Sequence, residues 1–89
     1  MKFEYDPAKS ARNKRKHGLD FEEAQGLWDD ERLLVFPLKF EGEPRRACIG
    51  TWRGKHWTAI VTCRGRAVRL ISVRRARKDE VLAYEDEGL

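Results

Sequence analysis

Long apolar runs are missing from this 89-residue chain: the longest, Leu33 to Phe36, is far too short to cross a bilayer. Cysteine is scarce too, and Cys48 and Cys63 are ill placed to pair. A tight turn at Arg53-Gly54 sets Cys48 opposite Ala59 and leaves Cys63 about four residues, roughly 13 Å, further along, whereas a disulfide needs Cα atoms within about 7 Å. Two free thiols are therefore expected. The close-spaced Cys and His pairs of a zinc site are absent, and His17 and His56 stand alone, so no metal or other cofactor is expected. Met1 to Asp6 is mixed and Ala8 to His17 polar, which gives no signal-peptide pattern and makes the cytoplasm the expected compartment. A chain this short buries only about 60% of its unfolded surface, enough for one domain over residues 1–89.

Acidic residues are almost lacking from one long block. Residues 1–40 balance eight Lys and Arg against eight Asp and Glu, but residues 41–78 hold eleven bases and only Glu41 and Glu43 as acids. The last eleven residues reverse this, with five acids and no base. Twelve of the nineteen bases are Arg, whose guanidinium forks two hydrogen bonds onto a phosphate. A basic block in so small a domain predicts a positive surface suited to a polyphosphate backbone; the plainer reading is a solvated basic face.

Hydrophobic periodicity predicts an α+β fold with an antiparallel sheet. A short first strand at Phe3-Glu4-Tyr5 precedes Asp6-Pro7, a helix cap and first turn, and the helix runs to His17 before Gly18. Asp20 with Glu23 forms the start of a second helix whose buried stripe is Phe21, Ala24, Leu27 and Trp28. Four strands follow at Arg32 to Lys39, Arg45 to Trp52, Lys55 to Cys63 and Ala67 to Arg74, a meander joined by short turns. In the third of these, Trp57, Ala59, Val61 and Cys63 share one face and His56, Thr58, Ile60 and Thr62 the other. Val68 to Val73 is apolar on both sides, as a strand covered on both faces would be. Asp79 to Glu87 reads as a closing helix.

The pattern Asp6-x-x-Lys9-x-x-x-Asn13-x-x-Lys16-His17-Gly18-x-x-Phe21-x-x-Ala24 resembles the opening of the BrnT family, toxins of type II toxin-antitoxin systems. Glu43, Arg45, Ile49-Gly50, Arg64, the block Arg69 to Ala76, Glu80 and Tyr84 extend the likeness over nearly the whole chain. The resemblance implies a RelE-like fold and a ribonuclease that halts translation. It also implies neutralisation by a BrnA-like antitoxin with a ribbon-helix-helix domain, through which the complex binds promoter DNA.

The residues suit that chemistry independently. RNA carries its own nucleophile, the 2'-hydroxyl, so cleavage needs a proton acceptor, a proton donor and cations around the phosphorane, and can proceed without metal. The catalytic candidates are His17, Arg64, Arg74 and Tyr84, with Lys16, Arg45, Arg69 and Arg75 as RNA contacts and His56 ranked lower. Each has an alternative: His17 as a helix terminus, Arg64 as a solvated turn residue, Arg74 as a partner of Glu80, Tyr84 as a core aromatic. Trp28, Trp52 and Trp57 read as core or hairpin residues before base-stacking platforms. The catalytic reading predicts that Arg45, Arg64 and Arg74 gather with His17 and Tyr84. Two other functions compete with it: a non-catalytic nucleic-acid-binding module, and a subunit whose positive face docks an acidic protein.

Overall fold

The computed structural model describes residues 1–39 and 41–87. Strand β1 (Lys2–Glu4) leads into α1 (Pro7–His17), where the Asp6 carboxylate accepts from Ala8 N at 2.8 Å and Gly18, at φ +86°, closes the last turn onto Lys14 O. Asp20 and Glu23 cap α2 (Phe21–Ala24) reciprocally, at 2.7 and 3.1 Å, and the chain tightens into a 3-10 turn at Gln25–Asp29. Then come β2 (Leu34–Leu38), β3 (Arg45–Trp52), β4 (Lys55–Arg64), β5 (Ala67–Arg75) and α3 (Lys78–Glu87). No helix among the described residues is long and apolar enough to cross a membrane.

The five strands form one sheet in the order β1-β5-β4-β3-β2, and β2 to β5 are antiparallel neighbours. The sheet is mixed and not antiparallel throughout as expected, because β1 lies parallel to β5, with Phe3 opposite Val68. Hairpin turns dictate the direction of strands that follow one another, but nothing local dictates how a strand sixty residues away docks on the remaining edge. The Arg53-Gly54 turn pairs Trp52 with Lys55 and places Cys48 opposite Ala59, as its register predicts. Both thiols are free: Cys63 is exposed, and burial pushes the Cys48 thiol up to about 12.

The α1–α2 region covers one face of this sheet, and α3 lies against the other. Leu19, Phe21, Ala24 and Leu27 meet Cys48, Trp57, Ala59, Val61, Leu70 and Val73 in the core, each large side chain contributing about 1.5–3 kcal/mol. On the other face Thr58 and Thr62 are also buried, their hydroxyls donating to Glu80 and to Pro44 O. A bulge at Ile60/Val61 leaves Ile71 unpaired on β5.

Strand β5 lies between β1 and β4, with a strand on both edges only in its first half. β1 pairs with it only as far as Arg69, so its second half has an open edge. The Asn13 side chain of α1 closes that edge as a strand would: Nδ2 donates to Val73 O at 2.8 Å and to Leu19 O at 2.7 Å, while Oδ1 accepts from Val73 N at 3.1 Å. α1 is thereby held alongside β5.

Candidate functional site

Helical spacing gathers cations where α1 passes β5. Lys9, Arg12, Lys16 and His17 recur at intervals that share a face with Asn13, and together with Ile71 and Ser72 they line a cavity of about 350 Å³. At one end, His17 also borders a cavity of about 310 Å³ with Gly18, Trp52, Arg53, Lys55, Trp57 and Arg75. At the other, Lys9 and Ile71 also border a cavity of about 220 Å³ with Glu43, Arg45, Thr62, Arg64 and Arg69. Because neighbouring cavities share walls, they form one furrow past the open edge of β5, lined by nine Lys and Arg and a single acid, Glu43. Such a row of mostly exposed cations sets positive potential along a line, as a chain of phosphates requires.

Two furrow cations already hold carboxylates. Arg64 reaches Glu43 at 3.3 Å and Arg69 reaches Glu4 at 3.8 Å, both pairs in solvent contact and therefore weak enough to be exchanged for phosphate.

A separate cluster lies beneath α3. The Arg74 guanidinium forks onto Glu80 at 2.7 and 3.0 Å, and Glu80 also accepts from Arg77 N and Thr58 Oγ1. Tyr84 is buried, stands edge-on to His56 at 5.1 Å between ring centres, and donates its hydroxyl to Asp30 at 2.6 Å. Asp30 further accepts from Thr51 N and Oγ1 and from Arg32 N, so one carboxylate joins the 3-10 turn, β3 and α3. Burial pushes both acids up, but their donors outweigh it: the Tyr84, Arg32 and Thr51 bonds bring Asp30 to about 2, and Arg74, Arg77 and Thr58 bring Glu80 to about 2.

These carboxylates make the fold acid-sensitive. Both lie below their ordinary values of 3.8 and 4.5, so their contribution is complete above about pH 5 and disappears as pH falls toward about 2, a loss of about 2 kcal/mol for Asp30 and about 3 kcal/mol for Glu80. Urea denaturation at pH 7, 5 and 3 is expected to show stability falling mainly across the last interval. The fall should be shallower in Glu80→Gln, and an identical slope in that variant would remove Glu80 from the account.

The structure does not gather the expected catalytic residues at one point. His17 lies in the furrow with Lys16 and Arg75, and Arg64 lies in it with Arg45 and Arg69, toward the other end. Arg74 and Tyr84 are under α3, engaged by Glu80 and Asp30. Arg74 stands opposite Thr58, six residues along β4 from Arg64, which is about 20 Å at strand rise. Trp28 packs edge-on against Phe3 at 4.9 Å, but Trp52 and Trp57 face a furrow cavity. Sequence reasoning did not single out Asp30, and nothing local marks its link to Tyr84, fifty-four residues away. It named Lys16 as an RNA contact but not Lys9 and Arg12, which share its helix face and which helical spacing could have added.

A capped helical layer over a mixed sheet, with a cationic furrow along one strand edge, defines a small basic α+β protein whose positive charge is gathered on its surface. Residues 5–80 match the family model described as the ribonuclease toxin, BrnT, of type II toxin-antitoxin systems, and the chain belongs to this family. Membership implies ribonuclease activity on RNA and an antitoxin as partner. No curated protein matches the chain.

Proposed function

We propose that the protein is an endoribonuclease of the mRNA-interferase type, with a RelE-like fold, which cuts RNA without metal and so inhibits translation in the cytoplasm. A BrnA-like ribbon-helix-helix antitoxin neutralises it and carries the complex to promoter DNA. The observation that supports this best is the continuity of the furrow, whose cations succeed one another through three adjoining cavities with one acid among them.

RNA lies along the furrow with its backbone against Arg45, Arg64 and Arg69 at one end and Lys16 and Arg75 at the other. His17, common to two cavities, accepts the 2'-hydroxyl proton as the 2'-oxygen attacks phosphorus. The P–O5' bond breaks, the leaving oxygen takes a proton from solvent water, into which His17 then releases the one it accepted, and a 2',3'-cyclic phosphate remains. Lys16 and Arg75, which border the same cavities as His17, offset the charge developing on the phosphorane, while Arg64 toward the other end of the furrow and Arg74 and Tyr84 beneath α3 are candidates that do not share its phosphate.

The test is cleavage of a defined RNA by purified protein in chelator. His17→Ala is expected to slow cleavage at least about a hundredfold, as loss of a positioned acid or base does. Undiminished cleavage in His17→Ala would reassign the base, and undiminished cleavage in Tyr84→Phe would remove Tyr84 from the set. The separation of Arg74 and Tyr84 from His17 favours a second reading, a non-catalytic nucleic-acid-binding module. Salt-sensitive RNA binding with intact RNA would establish it in place of the first.

A further inference from the structure

The cavity at the β3–β4 turn differs from the rest of the furrow in holding aromatic rings among its cations. Its walls include Trp52, Arg53, Lys55, Trp57 and Arg75, with about 310 Å³ between them, at the small end of ligand pockets. The Arg53 guanidinium carbon stands 4.3 Å from the centre of the Trp52 ring, and that of Arg75 stands 5.6 Å from the centre of Trp57. Two cation-aromatic layers therefore border one space. A phosphate alone calls for neither ring, whereas an unstacked base stacks on both indole and guanidinium planes.

Three details show that this arrangement is built. Gly26 seats Trp52: a Cβ there would fall 2.4 Å from Cδ1 and 2.5 Å from Nε1 of the indole. Arg53 holds a left-handed φ of +50° at the first position of a two-residue hairpin turn, where Asn is the usual residue, so the backbone carries strain to keep an Arg beside Trp52. Trp57 is only 6% exposed, and its Nε1–H has no acceptor among the described residues.

We propose that this cavity is a nucleotide subsite, in which one unstacked base of single-stranded RNA stacks on the Trp52–Arg53 layer while Lys55 and Arg75 hold the adjoining phosphate. This rests on the reading of the furrow as an RNA track and adds to it a specific contact with a base. The site lies next to His17, so a base held here fixes the register of the strand at the residue assigned the proton transfer.

The probe is a fluorescein-labelled ten-residue 2'-O-methyl RNA, uncleavable because its 2'-oxygens are blocked, compared with the same backbone made abasic. Fluorescence anisotropy with the full chain should show the base-bearing strand binding about tenfold tighter than the abasic one, in line with the value of a stacked base. Trp52→Ala should erase that difference while leaving the abasic affinity unchanged. Trp52→Phe should retain most of it, and Gly26→Ala, which displaces the indole without removing it, should reduce it. Equal binding of the two strands by the unaltered protein, or an equal loss for both in Trp52→Ala, would overturn the subsite. Cleavage of ordinary RNA, assayed in parallel, separates the two readings. Cleavage without any base-dependent binding removes the subsite alone, and base-dependent binding without cleavage removes the ribonuclease reading alone.

Discussion

Asn13→Ala is expected to lower the melting temperature by about 20 °C, the largest effect of any single substitution outside the apolar core. One 7%-exposed amide makes three hydrogen bonds, to Leu19 O, Val73 O and Val73 N, and it is the described group that closes the β5 edge where β1 ends. Removing it leaves three backbone groups facing a buried seam without partners. At about 1 kcal/mol or more for each, the loss is about 3–4 kcal/mol, a large share of the stability of so small a domain. Asn13→Asp should be nearly as damaging despite its matching shape, because an ionised carboxylate has no hydrogen to give the two carbonyl oxygens and would repel them. Thermal unfolding followed by circular dichroism measures both. A melting temperature within a few degrees of the parent for either variant would mean that water replaces the amide, and α1 would not depend on this residue for its position.

The second large effect concerns the furrow. If five of its cations each meet a phosphate, raising monovalent salt from 50 to 200 mM should weaken binding of an uncleavable single-stranded RNA about a hundredfold, since each phosphate contributes about 0.7 to the logarithmic slope. Replacing Arg45, Arg64 and Arg69 together by Ala should lower that slope by about 2 and leave the protein folded, because the ion pairs made by Arg64 and Arg69 lie at the surface. Affinity titrations at four salt concentrations read the slope directly. A slope unchanged in the triple variant would place the RNA elsewhere on the surface and end the case for a continuous track. Arg74 is a poor choice for such a test. Its removal strands the Glu80 carboxylate, and lost activity would be confounded with lost stability.

Much of this architecture is local and therefore legible in the chain. Asp6-Pro7 and Gly18 bound the first helix, Asp20 with Glu23 opens the second, and Arg53-Gly54 sets the register that puts Cys48 opposite Ala59. Each depends on residues within a few positions of one another, where backbone geometry and capping chemistry leave little choice. The basic block of residues 41–78 is likewise plain in the chain, and the motif around Lys16-His17-Gly18 is what points to the family. The four strands from β2 to β5 follow from their turns, but the direction of β1 does not, and there the expectation of an antiparallel sheet fails.

The amino-acid order by itself thus determined the elements, the register of the central hairpin, the excess of positive charge and the family. Tertiary structure alone decided which cations line the furrow and which are spent within the protein. Lys9 and Arg12, not among the site candidates read from the sequence, line the furrow, whereas Arg74 and Tyr84, singled out there, are committed to Glu80 and Asp30. The reason is physical. A guanidinium or hydroxyl takes whatever acceptor the fold brings within about 3 Å, and that acceptor is chosen by packing between elements distant in the chain, which no local pattern encodes.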